Sequence, residues 1–258
     1  MKKNILRICH YDILNGGENR LDIIRDIIKK INPDICSLTE AVDWNKNINK
    51  YKKKFQEIGY DFFYFNKSNT KYNIILLSKI KLNINIINKN IWHVIVEAIP
   101  EHNKDLKIFF VHLCPKNEKY RIKEITELMN KIDSGKKSVI IGDFNSLSSE
   151  DKYNEENLIK CFQKIKLKKF GSRKIQYKVI NKIKNNNFTD TYYFFNKKFD
   201  FSVPTKLNID ISHKQKLRID YAFVSNCMIN LVKSFKIIKN NKTEKGSDHY
   251  PIYLEIKN

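Results

Sequence analysis

An α/β fold, with sheets covered by helices, is what the sequence predicts. Three observations lead there. Short apolar runs rich in β-branched residues recur from one end of the 258-residue chain to the other, the pattern of strands buried in sheets. Two longer segments instead repeat their apolar residues with helical spacing. A hydrophobic fraction of 41% with only 7 Gly and 5 Pro fits a folded globular chain rather than fibrous or linker-like material. Many strands and few strong helices favour sheets with helices laid on them over strict βαβ alternation. With no linker and no internal repeat, one domain over residues 1–258 is expected.

In chain order, "ILRICHYDIL" from Ile5 reads as the first strand. In "RLDIIRDIIKKINPD" the residues Leu21, Ile24, Ile27, Ile28 and Ile31 share one helical face, and Asn32-Pro33 stops the helix. The runs "DICSLTEA", "IILLSKI", "WHVIVEAI" and "KIFFVHL" follow as strands. The second helix is "EKYRIKEITELMNKIDSG", with Ile122, Ile125, Leu128, Met129 and Ile132 on one side and Gly135 beyond its end. After the strand "SVIIGDF" comes the most basic stretch, Lys160 to Lys184, with Phe162, Phe170 and Tyr177 interleaved. It reads either as a contact for single-stranded nucleic acid or as an amphipathic helix with a lysine-rich outer face. "RIDYAFVS", "SFKII" and "YPIYLEI" are the closing strands.

The net charge of +21 favours polyanions: nucleic acid, phosphoinositide headgroups or an anionic membrane. Part of the lysine excess is attributable to AT-rich codon usage, since Lys, Asn and Ile are abundant together. The 5 cysteines (Cys9, Cys36, Cys114, Cys161 and Cys227) are odd in number and include no CxxC. Free thiols in the cytoplasm or another reducing intracellular compartment are therefore expected, not disulfides or a zinc site. Lys2 and Lys3 precede an apolar stretch broken by Arg7, His10 and Asp12, which does not read as a signal peptide. No apolar span approaches the ~18 residues of a transmembrane helix.

Polar residues suited to chemistry stand at the ends of several strand-like runs: Asp12, Glu40, His112, Asp143, Asp220, Asp248 and His249. One such carboxylate is ordinarily a turn former or cap. Their recurrence is different, because a sheet delivers strand ends to a common edge where carboxylates repel unless a cation lies between them. Oxygen-rich ligands suit a hard divalent ion, Mg²⁺ or Mn²⁺. The segment "SVIIGDFNSLSSED" adds Asn145 two residues after Asp143.

The order of the pieces "YDILNGG", "PDICSLTEA", "FFVHL", "IIGDFNSLS", "RIDYAFVS" and "GSDHYPI" resembles the endonuclease/exonuclease/phosphatase superfamily over nearly the whole chain. The likeness is to its small stand-alone members. It implies a DNase I-like four-layered α/β sandwich, two mixed β-sheets face to face flanked by helices. The active site would lie at one end, rimmed by loops after Glu40, after Asn145 and near Phe201 to His213. The resemblance makes Glu40 the principal metal ligand, with Asp12 and Asp248 beside the metal. Asp143 and Asn145 would orient and activate the attacking water or hold the phosphoryl oxygen. His112 would contact a phosphate oxygen or protonate the leaving group, and His249, fixed by Asp220, would act on the phosphate or the water. Two positions depart from the family pattern: Thr39 stands where Gln usually precedes the metal-binding Glu, and Asp12 where Asn is usual.

His10, His93, His102 and His213 match no motif and are expected in loops or on the surface. Asn73 is read as a strand-start residue rather than a phosphate contact. "VHLCP" resembles the histidine-bearing branch of the superfamily, which argues against abasic-site cleavage. The expectation is a monomeric, Mg²⁺-dependent phosphodiester hydrolase acting on DNA or RNA. The alternative is a phosphatase or phosphodiesterase for a small phosphorylated metabolite or lipid headgroup. A relative that binds nucleic acid without cutting it ranks third, since the full set of candidate residues is present.

Overall fold

The computed structural model describes residues 5–133, 135–196 and 198–257. Lys2 and Lys3, weighed above against a signal peptide, lie outside the described residues. Twelve strands form two mixed sheets of six among them. Strands β1 (Ile5–Asp12), β2 (Ile35–Thr39), β3 (Phe62–Asn66), β4 (Ile74–Ser78), β11 (Val232–Ile237) and β12 (Ile252–Lys257) make the first, in the order β11-β12-β1-β2-β4-β3. The second contains β5 (Leu82–Ile87), β6 (Ile95–Pro100), β7 (Leu106–His112), β8 (Lys137–Asp143), β9 (Phe188–Asp190) and β10 (Asp220–Ser225), in the order β5-β6-β7-β8-β10-β9. Every strand-like run singled out above overlaps one of these strands; β3, β5 and β9 are additional.

The sheets lie face to face, with helices on both outer sides, so the architecture is a four-layered α/β sandwich. Along β1, Leu6 and Ile8 point into the layer between the sheets, where they meet Ile108, Phe110, Val139, Ile141, Ala222 and Val224. Their neighbours Cys9 and Tyr11 point outward, beneath Ile24, Ile27 and Ile28 of α1 (Leu21–Ile31) and Phe55 of α2 (Ile48–Gln56). The second sheet repeats the scheme: Phe109, Ile140 and Phe223 face outward against α3 (Glu118–Met129) and α5 (Lys178–Asn185). Burying each such Ile, Leu or Phe contributes about 1.5–3 kcal/mol, which fixes strand register, since a slip by one residue would turn the apolar set to the wrong side.

This two-residue period also builds the site. On the inner face, apolar residues give way to polar ones at the same end of each strand. Ile8 is followed by His10 and Asp12, Ile35 by Ser37 and Thr39, and Ile108 and Phe110 by His112. Val139 and Ile141 lead to Asp143, and Asp220 precedes Ala222. In the parallel pairing of β7 with β8, His112 is opposite Asp143, and antiparallel β10 sets Asp220 opposite Asp143 on the other side. Gly142 permits that closeness, because a Cβ there would lie 1.9 Å from the Val111 carbonyl oxygen.

The basic stretch from Lys160 to Lys184 resolves into the end of α4 (Glu155–Lys164), a loop and α5. Phe162 and Phe170 are buried in a cluster with Leu147, Leu217 and Ile219, and Tyr177 packs against it. Phe162 and Phe170 are core residues and α5 buries Val179, Ile180 and Ile183 beneath its lysines, so of the two readings of this stretch the amphipathic helix holds and the stacking surface does not. α6 (Thr191–Phe195) and α7 (Thr243–Gly246) are short. Among the described residues no helix is long and apolar enough to cross a membrane.

Candidate active site

The polar strand ends open into a cleft of about 360 Å³ lined by Asp12, Glu40, His112, Asp143, Asn145, Asp248 and His249. Asp220, the eighth residue singled out in the sequence, lies directly behind His249. Glu40 follows the last residue of β2 and has a left-handed backbone, φ 59°, a conformation uncommon for a glutamate. That turn carries its side chain off the strand to the cleft, where Oε2 accepts from the Asn15 backbone N–H at 2.9 Å. Asp12 is held from both sides: Oδ1 accepts from Leu14 N–H at 3.0 Å and Oδ2 from the Thr39 hydroxyl at 2.8 Å. Thr39 thus bonds the other departing residue, Asp12.

Asp143 and Asn145 form one unit. The Asn145 backbone N–H donates to Asp143 Oδ1 at 2.7 Å, and its side-chain amide donates to Asp143 Oδ2 at 2.8 Å and to the Leu113 carbonyl at 2.9 Å. Asn145 has φ 48°, which asparagine tolerates better than most residues. His112 Nε2 is 3.6 Å from Asp143 Oδ2. Asp220 accepts from Nδ1 of His249 at 2.9 Å, leaving Nε2 as the ring nitrogen available to the cleft.

Three histidines expected in loops or on the surface are buried, and this is a correction. His10 lies on the inner face of β1, with Nδ1 2.9 Å from the Ser37 hydroxyl and Nε2 3.3 Å from Asp220 Oδ1. His93 lines the cleft with its ring stacked 4.3 Å from that of His112, and its Nδ1 is 2.6 Å from the Thr70 hydroxyl. His213 also lines the cleft, between Lys169 and two acids. The Lys169 ammonium has no acceptor, so it donates to His213 Nε2 at 3.0 Å. Nδ1 then carries the proton toward Asp210 and Asp248, at 3.6 and 3.7 Å. His102 is exposed, as expected. Asn73 is bound within the protein: its amide donates to the Ala41 carbonyl, and its oxygen accepts from Ser68 N–H.

The electrostatics follow from gathering acids in a buried place. Burial, and then the charge of Glu40, raises the pKa of Asp12 well above the ordinary carboxylate range. Glu40 is raised by burial against its bond from Asn15, with Asp248 adding to the rise. Asp143 is pushed up to about 7 by burial and by Asp220. The imidazoles divide. Burial holds His112 well below the usual histidine value, with His93 and His10 adding to the effect. His249 instead is held well above it, because the charge of Asp220 and its hydrogen bond overcome burial.

Asp12, Glu40 and His112 place one ligand atom each within 4.8 Å of one another, and so do His213, Asp248 and His249. Two carboxylates whose pKa values are raised by burial, joined by a neutral imidazole, fit a divalent cation that would relieve their repulsion. The first cluster groups His112 with Glu40 and Asp12, and Asp248 falls in the second.

The model of the endonuclease/exonuclease/phosphatase family matches residues 11–249. The chain belongs to this family. No curated protein matches the sequence. Solved structures share the fold of this family member at low identity. An AP endonuclease from Archaeoglobus fulgidus superposes with a TM-score of 0.72 at 16% identity, over 96% of this chain and 98% of that one. The 3′-5′ exonuclease NExo from Neisseria meningitidis gives 0.74 at 16%, over 98% and 100%. An endonuclease/exonuclease/phosphatase family protein from Leptotrichia buccalis gives 0.66 at 18%, over 98% and 100%.

Proposed function

We propose that the protein hydrolyses phosphodiester bonds of DNA or RNA with the help of a divalent cation, Mg²⁺ or Mn²⁺. The observation that carries this reading is the convergence, in one cleft, of Asp12, Glu40, Asp143, Asp248, His112 and His249, with Asp220 behind the last. Hydrolysis of a phosphodiester needs an in-line water, charge neutralised on the phosphoryl oxygens and help for the departing alkoxide. The net charge of +21 suits a polyanionic substrate. Among the structural neighbours, the 3′ phosphatase NExo from Neisseria is bound to a product DNA hairpin.

Each residue has a task that its surroundings fit. Asp143, with a pKa near 7, is a base matched to neutral pH, and Asn145 fixes both of its oxygens. His249 keeps its proton because of Asp220 and offers Nε2–H to a phosphoryl oxygen or the leaving oxygen. His112, held well below the usual histidine value by burial, has a neutral ring nitrogen to offer the cation. Lys169, buried beside His213, supplies positive charge to the same wall. Asp12, Glu40 and His112 would hold the cation, which when bound stabilises the charge that builds on the phosphoryl oxygens.

The test is turnover of single-stranded DNA, duplex DNA, abasic duplex, RNA and inositol phosphates with Mg²⁺, Mn²⁺ or EDTA, beside the His249→Ala variant. Cation-dependent cleavage of a polynucleotide, lost in the variant, is the expected outcome. Intact polynucleotides with phosphate released from a small substrate would replace this reading with a small-molecule phosphatase.

A further inference from the structure

A second concavity, of about 550 Å³, adjoins the cleft and is lined in part by Ile91, Trp92, Tyr120, Ile122 and Lys123. The two hollows share a wall. His93 faces the cleft while its neighbour Trp92 lines the groove, and Pro115 faces the cleft while Lys116 places Nζ 4.5 Å from the Trp92 ring centroid. The wall is tied to α3 through a buried carboxylate. Glu124 accepts from Trp92 N–H with one oxygen and from Cys114 N–H with the other, both at 2.8 Å. Arg121, one turn earlier, donates to the carbonyls of Cys114 and Lys169 at 3.1 and 2.7 Å. The groove is therefore held in fixed relation to the candidate catalytic residues.

Its surface combines ring faces with cations. Tyr120 is 44% exposed, and its ring lies 5.5 Å from that of Trp92 at 59°. Lys116, over the Trp92 ring, and Lys123, in the groove lining, are both exposed, with Glu127 the one acid in that lining. An aromatic face beside ammonium groups matches a nucleotide, which brings a flat base and a phosphate together. We propose that this groove stacks an unpaired nucleobase flanking the phosphate held in the cleft, so that the enzyme takes single-stranded or frayed polynucleotide in preference to stacked duplex or a small phosphoester. This rests on the phosphodiesterase reading above. Stacking of one base on an aromatic side chain is worth about 1–3 kcal/mol, a factor of roughly 5–150 in affinity.

The chain carries only 2 tryptophans, and Trp44 is 0% exposed, so binding-induced quenching of tryptophan emission reports on Trp92. With oligothymidylate in EDTA, quenching is expected to saturate, and Tyr120→Ala is expected to weaken binding about tenfold. With Mg²⁺, the ratio of kcat/KM for a single-stranded oligonucleotide to that for bis(p-nitrophenyl) phosphate should fall about tenfold in Tyr120→Ala, through KM. Absent quenching, or an unchanged ratio in a wild-type enzyme that cleaves both substrates, would overturn the stacking subsite and leave the phosphodiesterase reading standing. If the wild type cleaves neither substrate, it is that reading which fails, and the quenching titration still decides the groove.

Discussion

Asp220 and His249 are joined by a 2.9 Å contact between Oδ2 and Nδ1, both side chains buried at the meeting of the two sheets. A carboxylate can only accept, so the bond fixes the proton on Nδ1 and the direction of the ring. The second oxygen of Asp220 lies 3.3 Å from His10 Nε2, and one acid thereby meets imidazoles from β1 of one sheet and from the loop before β12. Asp220→Asn keeps the shape but removes the charge that holds His249 protonated. Turnover is expected to fall by about 10²–10⁴-fold, with an unchanged circular dichroism spectrum. A loss of less than about threefold would remove Asp220 from the reaction.

Two residues before Asp220, Arg218 is wholly buried between two acids: Nε is 2.9 Å from Asp151 Oδ1 and Nη2 is 2.7 Å from Asp190 Oδ2. Its guanidinium also lies 4.2 Å from the Tyr221 ring centroid. Removing one member of such a cluster leaves uncompensated buried charge. Arg218→Met should destabilise the fold by roughly 3–5 kcal/mol, measured by urea unfolding. A change below about 1 kcal/mol would mean that the two carboxylates take up protons or water without cost.

Thr39 supplies the only hydroxyl bonded to Asp12 among the described residues, at 2.8 Å. Thr39→Val deletes that donor and keeps the volume. Cation affinity, read by calorimetric titration of Mn²⁺, is expected to weaken by about 10–100-fold. Unchanged affinity would show that Asp12 lies outside the cation site.

What the sequence made legible was whatever obeys a local period. Asp12, Asp143 and Asp220 stand at the ends of apolar runs and face inward in phase with Ile8, Ile141 and Ala222. The same period contained a signal for His10, midway between Ile8 and Asp12, that marks it as an inner-face residue. His93, Lys169 and His213 had no such signal, because they reach the cleft on irregular segments whose course is set by distant contacts. Lys169 is placed by the bond from Arg121 to its carbonyl, and His213 by Asp210 and Lys169. Composition left two readings open at Phe162 and Phe170, because neighbouring lysines give core aromatics the same local pattern as a stacking surface. Strand β5 alternates Ile with Asn, a residue of low strand propensity.

The Glu124 carboxyl that ties the cleft wall to α3 has a consequence for stability. Burial pushes its pKa from 4.5 up to about 7, against the pull of the Cys114 and Trp92 amides and of Arg121. A carboxyl raised in this way binds its proton more tightly in the folded state than in the unfolded one. The stability it contributes is full below about pH 4.5 and is lost as pH rises through about 7. At about 1.4 kcal/mol for each unit, the loss amounts to roughly 3 kcal/mol. Glu124→Gln does not titrate, so its stability relative to wild type should improve by that amount between pH 4 and 8, as read from urea midpoints in EDTA. Parallel curves for the two proteins would mean that the two amide hydrogen bonds carry the negative charge at no cost, and that Glu124 is ionised throughout.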